Sequence, residues 1–187
     1  MEAIAQTEWL SVDAYLASEQ RSEIRHEYIG GAVYAMAGAS DEHIALCMNI
    51  AFALRTHLQG TPCRVQMSEG KLRLRVANEE IFYYPDVMVA CDPRDTDRYF
   101  KRYPKVLVEV LSESTEPIDR REKFLSYRQI ETLEEYVLLA QDKKEVTVFR
   151  RSDHWQSELL KESDQTLRLS SLKFTISLQV LYQGVRA

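Results

Sequence analysis

Apolar residues spaced three and four apart recur in three stretches of the chain, and alternating or continuous β-prone runs occupy most of the remainder. The first helical stretch is short: Val12, Tyr15 and Leu16 follow Ser11, a residue suited to capping, and the pattern ends before Arg25. Glu27-Tyr28-Ile29 and Ala32-Val33-Tyr34-Ala35-Met36 flank Gly30-Gly31, a pair that tolerates positive φ and so predicts a two-residue hairpin. Ser40 then opens a long helix. Its predicted buried stripe is Ile44, Cys47, Met48, Ala51, Phe52, Leu54, Arg55 and Leu58, and Gly60 closes it. Strands are predicted at 64–67, 71–76, 85–90 and 106–111, and their apolar character from Val87 onward predicts a sheet covered on both faces. Another helix starts near Pro117, with Asp119 and Glu122 at its positive end and Phe124, Tyr127 and Ile130 as its packing stripe. Strands at 136–140, 146–150 and 155–160 follow, the first two joined by a turn at Asp142-Lys143-Lys144, with further short strands toward the C-terminus. The order of elements predicts an α/β domain whose central mixed sheet is flanked by helices.

Composition narrows the picture. With 187 residues, 45% hydrophobic and 28% charged, the chain is expected to form one domain, 1–187, with a sizeable core. No apolar run approaches the roughly 20 residues of a membrane span. Glu2 and Glu8 stand where a secretory leader would be basic and then apolar, so a cytoplasmic location is expected. Cys47, Cys63 and Cys91 are far apart and form no C-x-x-C pair; neither a zinc knuckle nor a disulfide framework is expected, and the three read as small core residues. A net charge of −5 argues against bulk electrostatic coating of nucleic acid. Local basic patches remain. Lys71, Arg73 and Arg75 alternate with Leu72, Leu74 and Val76, which places three cations on one strand face that is either a solvated outer face or a track for phosphates. Other cations cluster at Arg94, Arg98, Lys101, Arg102 and Lys105, and at Arg120, Arg121 and Lys123.

The chemistry is carried by two acids. Asp86 follows Pro85 at the opening of one apolar strand, and Glu109 sits inside another between Leu107-Val108 and Val110-Leu111. Buried carboxylates are costly unless paired or bound to a cation. On neighbouring strands, roughly 4.8 Å apart, two such side chains can converge on one hard divalent ion, Mg²⁺ or Mn²⁺. An ion so held can polarise a phosphodiester and lower the pKa of a water, and a nearby lysine can offset the charge that develops on the phosphate. His26, His57 and His154 show no spacing for zinc or for a nucleophilic relay, and neither G-x-S-x-G nor a phosphate-cradling glycine loop is present.

Pro85-Asp86 followed by Glu109-x-Leu111 resembles the PD-(D/E)XK signature of restriction-endonuclease-like nucleases, with leucine at position 111 where that signature has lysine. Glu109-Val110-Leu111-Ser112 runs on into Thr115, Asp119, Lys123 and Tyr127 at four-residue spacing. This combination resembles the restriction-endonuclease-type family of unknown function that is expanded in cyanobacteria, in which the lysine sits on this helix; Lys123 then takes the place of Leu111. The resemblance runs from about Glu8 to Leu181 and includes Glu27, Gly31, Ser40 and His43. It implies a restriction-endonuclease-like fold, a DNA substrate, Mg²⁺ or Mn²⁺ held by Asp86 and Glu109 with Glu27 as third carboxylate, a catalytic Lys123, and a homodimer. His43, Asp119 and Tyr127 are candidates for supporting those groups, and Lys71, Arg73, Arg75, Arg120 and Arg121 for touching nucleic acid. Each residue also has a structural reading: Asp86 as a turn cap, Lys123 as the exposed helical partner of Asp119, Tyr127 as packing, His43 as a hydrogen-bonded structural group. The alternative for the whole protein is a catalytically weak or inactive nuclease-fold module that binds DNA or protein; an RNA-directed nuclease is a third possibility.

Overall fold

The computed structural model describes residues 9–113 and 115–186. The readings placed on Glu2 and Glu8 lie outside the described residues. After helix α1 (Val12–Glu19) come the hairpin strands β1 (His26–Ile29) and β2 (Ala32–Ala35), and then the long helix α2 (Asp41–His57). Strands β3 (Arg64–Met67), β4 (Lys71–Val76), β5 (Glu79–Tyr83), β6 (Val87–Ala90), β7 (Phe100–Lys101) and β8 (Pro104–Leu111) follow. A helical crossover, α3, is built from α-helical Glu116–Ile118, π-helical Asp119–Lys123 and α-helical Phe124–Tyr127. Beyond it lie β9 (Glu135–Ala140), β10 (Val146–Arg150), β11 (Ser157–Leu160), the hairpin β12 (Thr166–Leu169) and β13 (Phe174–Ser177), and the short helix α4 (Leu178–Leu181).

A six-stranded mixed sheet, β11-β10-β9-β8-β6-β3, forms the centre, and a second sheet, β2-β1-β5-β4-β7, lies beside it. β8 and β9 run parallel, which requires a crossover, and α3 supplies it. Because side chains alternate across a strand, Val106, Val108 and Val110 of β8 enter the core packed by α2, whereas Leu107 and Leu111 enter the core that contains Tyr127 and Tyr136. Glu109, two residues from each of those leucines, faces the α3 side. The mixed α/β architecture with helices flanking the sheet is therefore present.

Several local expectations need correction. β5 goes unpredicted because its turn, Ala77-Asn78, lacks glycine; both residues nevertheless take positive φ (48° and 75°), and Val76 pairs with Glu79 in a two-residue hairpin. The apolar stripe of α2 is displaced around the helix. Leu46, Cys47, Ile50, Ala51 and Leu54 face the core, while Ile44, Met48 and Phe52 are 47%, 58% and 75% exposed. The helix carries two adjacent apolar stripes, and only one meets the sheet. β6 begins at Val87, so Asp86 stands just before the strand, and left-handed φ at His154 and Trp155 delays β11 to Ser157.

Lys71 does not share an open basic face. It is 7% exposed, with its ammonium over the rings of Tyr15 (5.0 Å) and Tyr84 (5.5 Å), and burial lowers its pKa more than nearby Glu19 raises it. Arg73 is held by Glu80 at 2.9 Å and lies over Phe82 and Phe100, so of the three only Arg75 is exposed.

The cysteine expectation is also overturned: Cys63 and Cys91 form a disulfide, and only Cys47 is a buried free thiol. Antiparallel pairing of Arg64 with Ala90 sets residues 63 and 91 opposite each other, a closeness hidden by 28 residues of sequence separation. Closing a loop of this length is worth about 3 to 4 kcal/mol on chain-entropy grounds. Cys63→Ser should lower urea-denaturation stability by an amount of that order in non-reducing buffer, and dithiothreitol should abolish the difference between variant and parent.

Candidate active site

Register brings the two acids together. Val87 pairs with Val108 in the antiparallel β6/β8 ladder, so Asp86 and Glu109 occupy the next facing positions. Each fixes the other's strand: the Asp86 N–H donates to Glu109 Oε2 (3.3 Å) and the Val110 N–H to Asp86 Oδ2 (2.7 Å). Asp86 Oδ1 meets His43 Nε2 at 2.9 Å, from the first turn of α2, whose start is capped by Ser40.

The crossover contributes the opposite wall. Lys123, buried at the end of the π-helical turn, directs its ammonium to Glu27 Oε1 (3.2 Å), Asp119 Oδ1 (3.2 Å) and Glu109 Oε1 (3.4 Å). A single widened turn of this kind changes which side chains share a face, and π turns are frequent at functional sites. The Tyr127 hydroxyl donates to Glu109 Oε1 at 2.8 Å, and the Tyr136 hydroxyl to the Asp119 carbonyl at 3.1 Å. Asp86, Glu109, Lys123 and Glu27 thus meet in one cleft of about 740 Å³, with His43 and Asp119 also on its wall. Tyr127 touches Glu109 from below. Leu111 is buried in the core with Tyr127 and Tyr136 and does not line the cleft.

The cluster is electrostatically unusual. Burial pushes the Glu109 carboxyl well above the usual range; Lys123 pulls it down, and Asp119 and Asp86 push it up again. Burial likewise raises the Asp119 carboxyl, with Lys123 opposing. Burial alone would lower Lys123, but Glu109, Glu27, Asp119 and Asp86 together hold its ammonium protonated well above the ordinary lysine value. Asp119 Oδ1 is buried and lacks an aligned hydrogen bond although the ammonium is close. Four carboxyl groups, those of Glu27, Asp86, Glu109 and Asp119, face one ammonium, Lys123, and one imidazole, His43. Such a donor set fits a divalent cation, which would occupy the oxygen-rich side lined by Asp86 and Glu109.

The basic residues nominated for nucleic acid are not part of this cluster. Arg120 is tied to Glu116 (2.7 Å) and approaches Glu145 (4.0 Å), and Arg121 is exposed. Sequence reasoning passed over Tyr83, whose ring lies 5.5 Å from the Lys123 ammonium, and Tyr136. It also passed over Cys47, one helical turn from His43 on the same face of α2, a spacing that carried the signal.

The mixed sheet with its parallel crossover has a nuclease-type fold: the crystal structure of "a putative nuclease belonging to DUF820" from Anabaena variabilis ATCC 29413 superposes with a TM-score of 0.76 at 17% identity, covering 93% of this chain and 98% of that one. Two proteins of Synechocystis sp. are closer in sequence. "Uncharacterized protein slr1290" is 34% identical over 94% of this chain and 93% of its own length, and "Uncharacterized protein sll1609" is 35% identical over 75% and 80%. The chain belongs to the Uma2 family, described as "Putative restriction endonuclease", whose model matches residues 12–180.

Proposed function

We propose that the protein is a divalent-metal-dependent DNA endonuclease. The observation that carries this reading is the meeting of Asp86, Glu109, Glu27 and Lys123, from separate elements, in one cleft where carboxyl groups outnumber basic ones. Asp86 and Glu109 would hold Mg²⁺ or Mn²⁺, with Glu27 as a third carboxylate. Bound there, the ion supplies Lewis-acid polarisation of the phosphodiester and a water of lowered pKa.

This chain's own groups do the rest. The Lys123 ammonium, kept charged by the surrounding acids, orients the attacking water and offsets the negative charge gathering on the phosphoryl oxygens as the scissile bond lengthens. Tyr127 holds Glu109 Oε1, and the Val110 N–H holds Asp86 Oδ2, so both carboxylates are set before substrate arrives. Asp119 keeps Lys123 in place from the preceding turn. Lysine reaching the site from α3 makes leucine at 111 compatible with catalysis.

Calorimetric titration with Mn²⁺ tests the reading directly. The parent should bind, and Asp86→Ala/Glu109→Ala should bind at least about tenfold more weakly; equal affinity would defeat the proposal. A panel of plasmid, linear duplex and RNA substrates then distinguishes DNA from RNA cleavage, and no cleavage of any of them would favour a binding module on the same fold.

A further inference from the structure

The geometry points to a second, softer metal site in the same cleft, formed by His43, Cys47 and Asp86 and suited to a zinc-like transition metal rather than to Mg²⁺. His43 Nε2 or Nδ1, Cys47 Sγ and an Asp86 carboxylate oxygen all lie within 4.8 Å of one another. The site goes beyond the nuclease reading, because its donor set stands whether or not phosphodiesters are cleaved.

Three features make it a built site. His43 and Cys47 are four residues apart on α2, so they project from one helix face, and a seventeen-residue helix fixes their spacing. Asp86 approaches from the sheet, its Oδ2 anchored by the Val110 N–H and its Oδ1 turned to His43. Cys47 is buried against the core yet also lines the cleft, so its sulfur is shielded from bulk oxidants and still borders the space an ion would enter.

The donor chemistry selects the metal. A tetrahedral ion with bonds of about 2.0 to 2.3 Å keeps its ligand atoms about 3.3 to 3.6 Å apart, and donor atoms that lie within 4.8 Å of one another reach that set with shifts on the order of an ångström. Imidazole, thiolate and carboxylate together favour Zn²⁺ or Co²⁺ over Mg²⁺, which prefers oxygen and octahedral surroundings. All three residues line the cleft, so a fourth position left by three protein ligands would be available to water or a substrate oxygen. On binding, the Cys47 thiol gives its proton to solvent and the sulfur coordinates as thiolate. The ion replaces the direct His43–Asp86 contact. Asp86 would then serve both this site and the hard-ion site it shares with Glu109.

Cobalt spectroscopy tests the assignment without any activity assay. Co²⁺ added to the purified full chain should produce a near-ultraviolet thiolate-to-cobalt charge-transfer band that reaches one equivalent, and Zn²⁺ should displace it. Cys47→Ser and Cys47→Ala should abolish the band; both replace a small buried side chain, and circular dichroism checks that each folds. His43→Ala should keep the thiol but weaken Co²⁺ binding at least about tenfold. Cys63→Ser/Cys91→Ser should leave the band unchanged. No band in the parent, or a band that survives in either Cys47 variant, overturns the proposal. Cleavage with Mg²⁺ in the absence of a cobalt band would sink this site and spare the nuclease reading, and a cobalt band without cleavage under any metal would do the reverse.

Discussion

Lys123→Met should reduce metal-dependent plasmid nicking at least about 10³-fold, equivalent to about 4 kcal/mol of barrier, and should destabilise the fold by about 3 to 5 kcal/mol near neutral pH. Both effects come from one atom. The ammonium is the shared partner of Glu27, Asp119 and Glu109, all within 3.4 Å, and the methionine that replaces it fills the space without charge. Removing one member of a buried ion cluster leaves the others desolvated and uncompensated, which is why the penalty far exceeds that of a surface pair. The structural loss should shrink in acid. Without the ammonium the carboxyls of Glu109 and Asp119, already raised by burial, rise further, so the folded state binds more protons than the unfolded one and stability increases as pH falls toward the ordinary carboxylate range. Urea denaturation at a series of pH values measures this. A variant within about 0.5 kcal/mol of the parent, or one that nicks DNA undiminished, removes Lys123 from its assigned place.

Glu109→Gln should separate function from stability. Nicking should again fall at least about 10³-fold, because a neutral amide is a poor ligand for a hard cation. Stability near pH 8 should nevertheless stay within about 1 kcal/mol of the parent. The amide oxygen keeps the Tyr127 hydrogen bond or the one from the Asp86 N–H but not both, a loss opposed by removing a carboxylate that burial disfavours. The pH profile carries the sign. A carboxyl whose pKa is raised in the folded state contributes stability that is full below its unfolded value near 4.5 and is lost as pH climbs through the folded value. The parent should therefore lose stability across that interval, and the glutamine variant should lose less. In the double variant Lys123→Met/Glu109→Gln, part of the lysine penalty should return, since one of the stranded acids is gone. Strict additivity would show that the two side chains do not interact.

Asp86 and Glu109 were legible as candidates because an acid within or before an apolar run is expensive wherever the chain puts it, so residue type alone marked them. The long helix, its N-terminal cap at Ser40, the Gly30-Gly31 hairpin and the alternation of helices with strands were legible for the same local reason: period and capping are properties of neighbours in sequence. The helix stops earlier than Gly60 suggests, with Leu58 as its C-terminal cap. The placement of Glu27 came from resemblance to a family, and no periodicity pointed to it. By contrast, the face of α2 that would be buried was not legible. Ile44, Met48 and Phe52 read as well as Leu46 and Ile50, and only the position of the sheet chose between them.

By itself, then, the chain's spelling determined most of the helical and extended segments, that the fold is mixed α/β, and which side chains are costly enough to demand a partner. Tertiary structure alone decided who the partners are. The β6/β8 register set Asp86 opposite Glu109, the parallel β8/β9 pair imposed a crossover that carries Lys123 over them, and the β3/β6 register joined Cys63 to Cys91. It also turned Lys71 inward onto two tyrosine rings and brought Cys47 beside His43 and Asp86. The reason is physical: propensity and periodicity act over a few residues, whereas each of these meetings depends on strand pairing and packing between segments tens of residues apart, which no local pattern encodes.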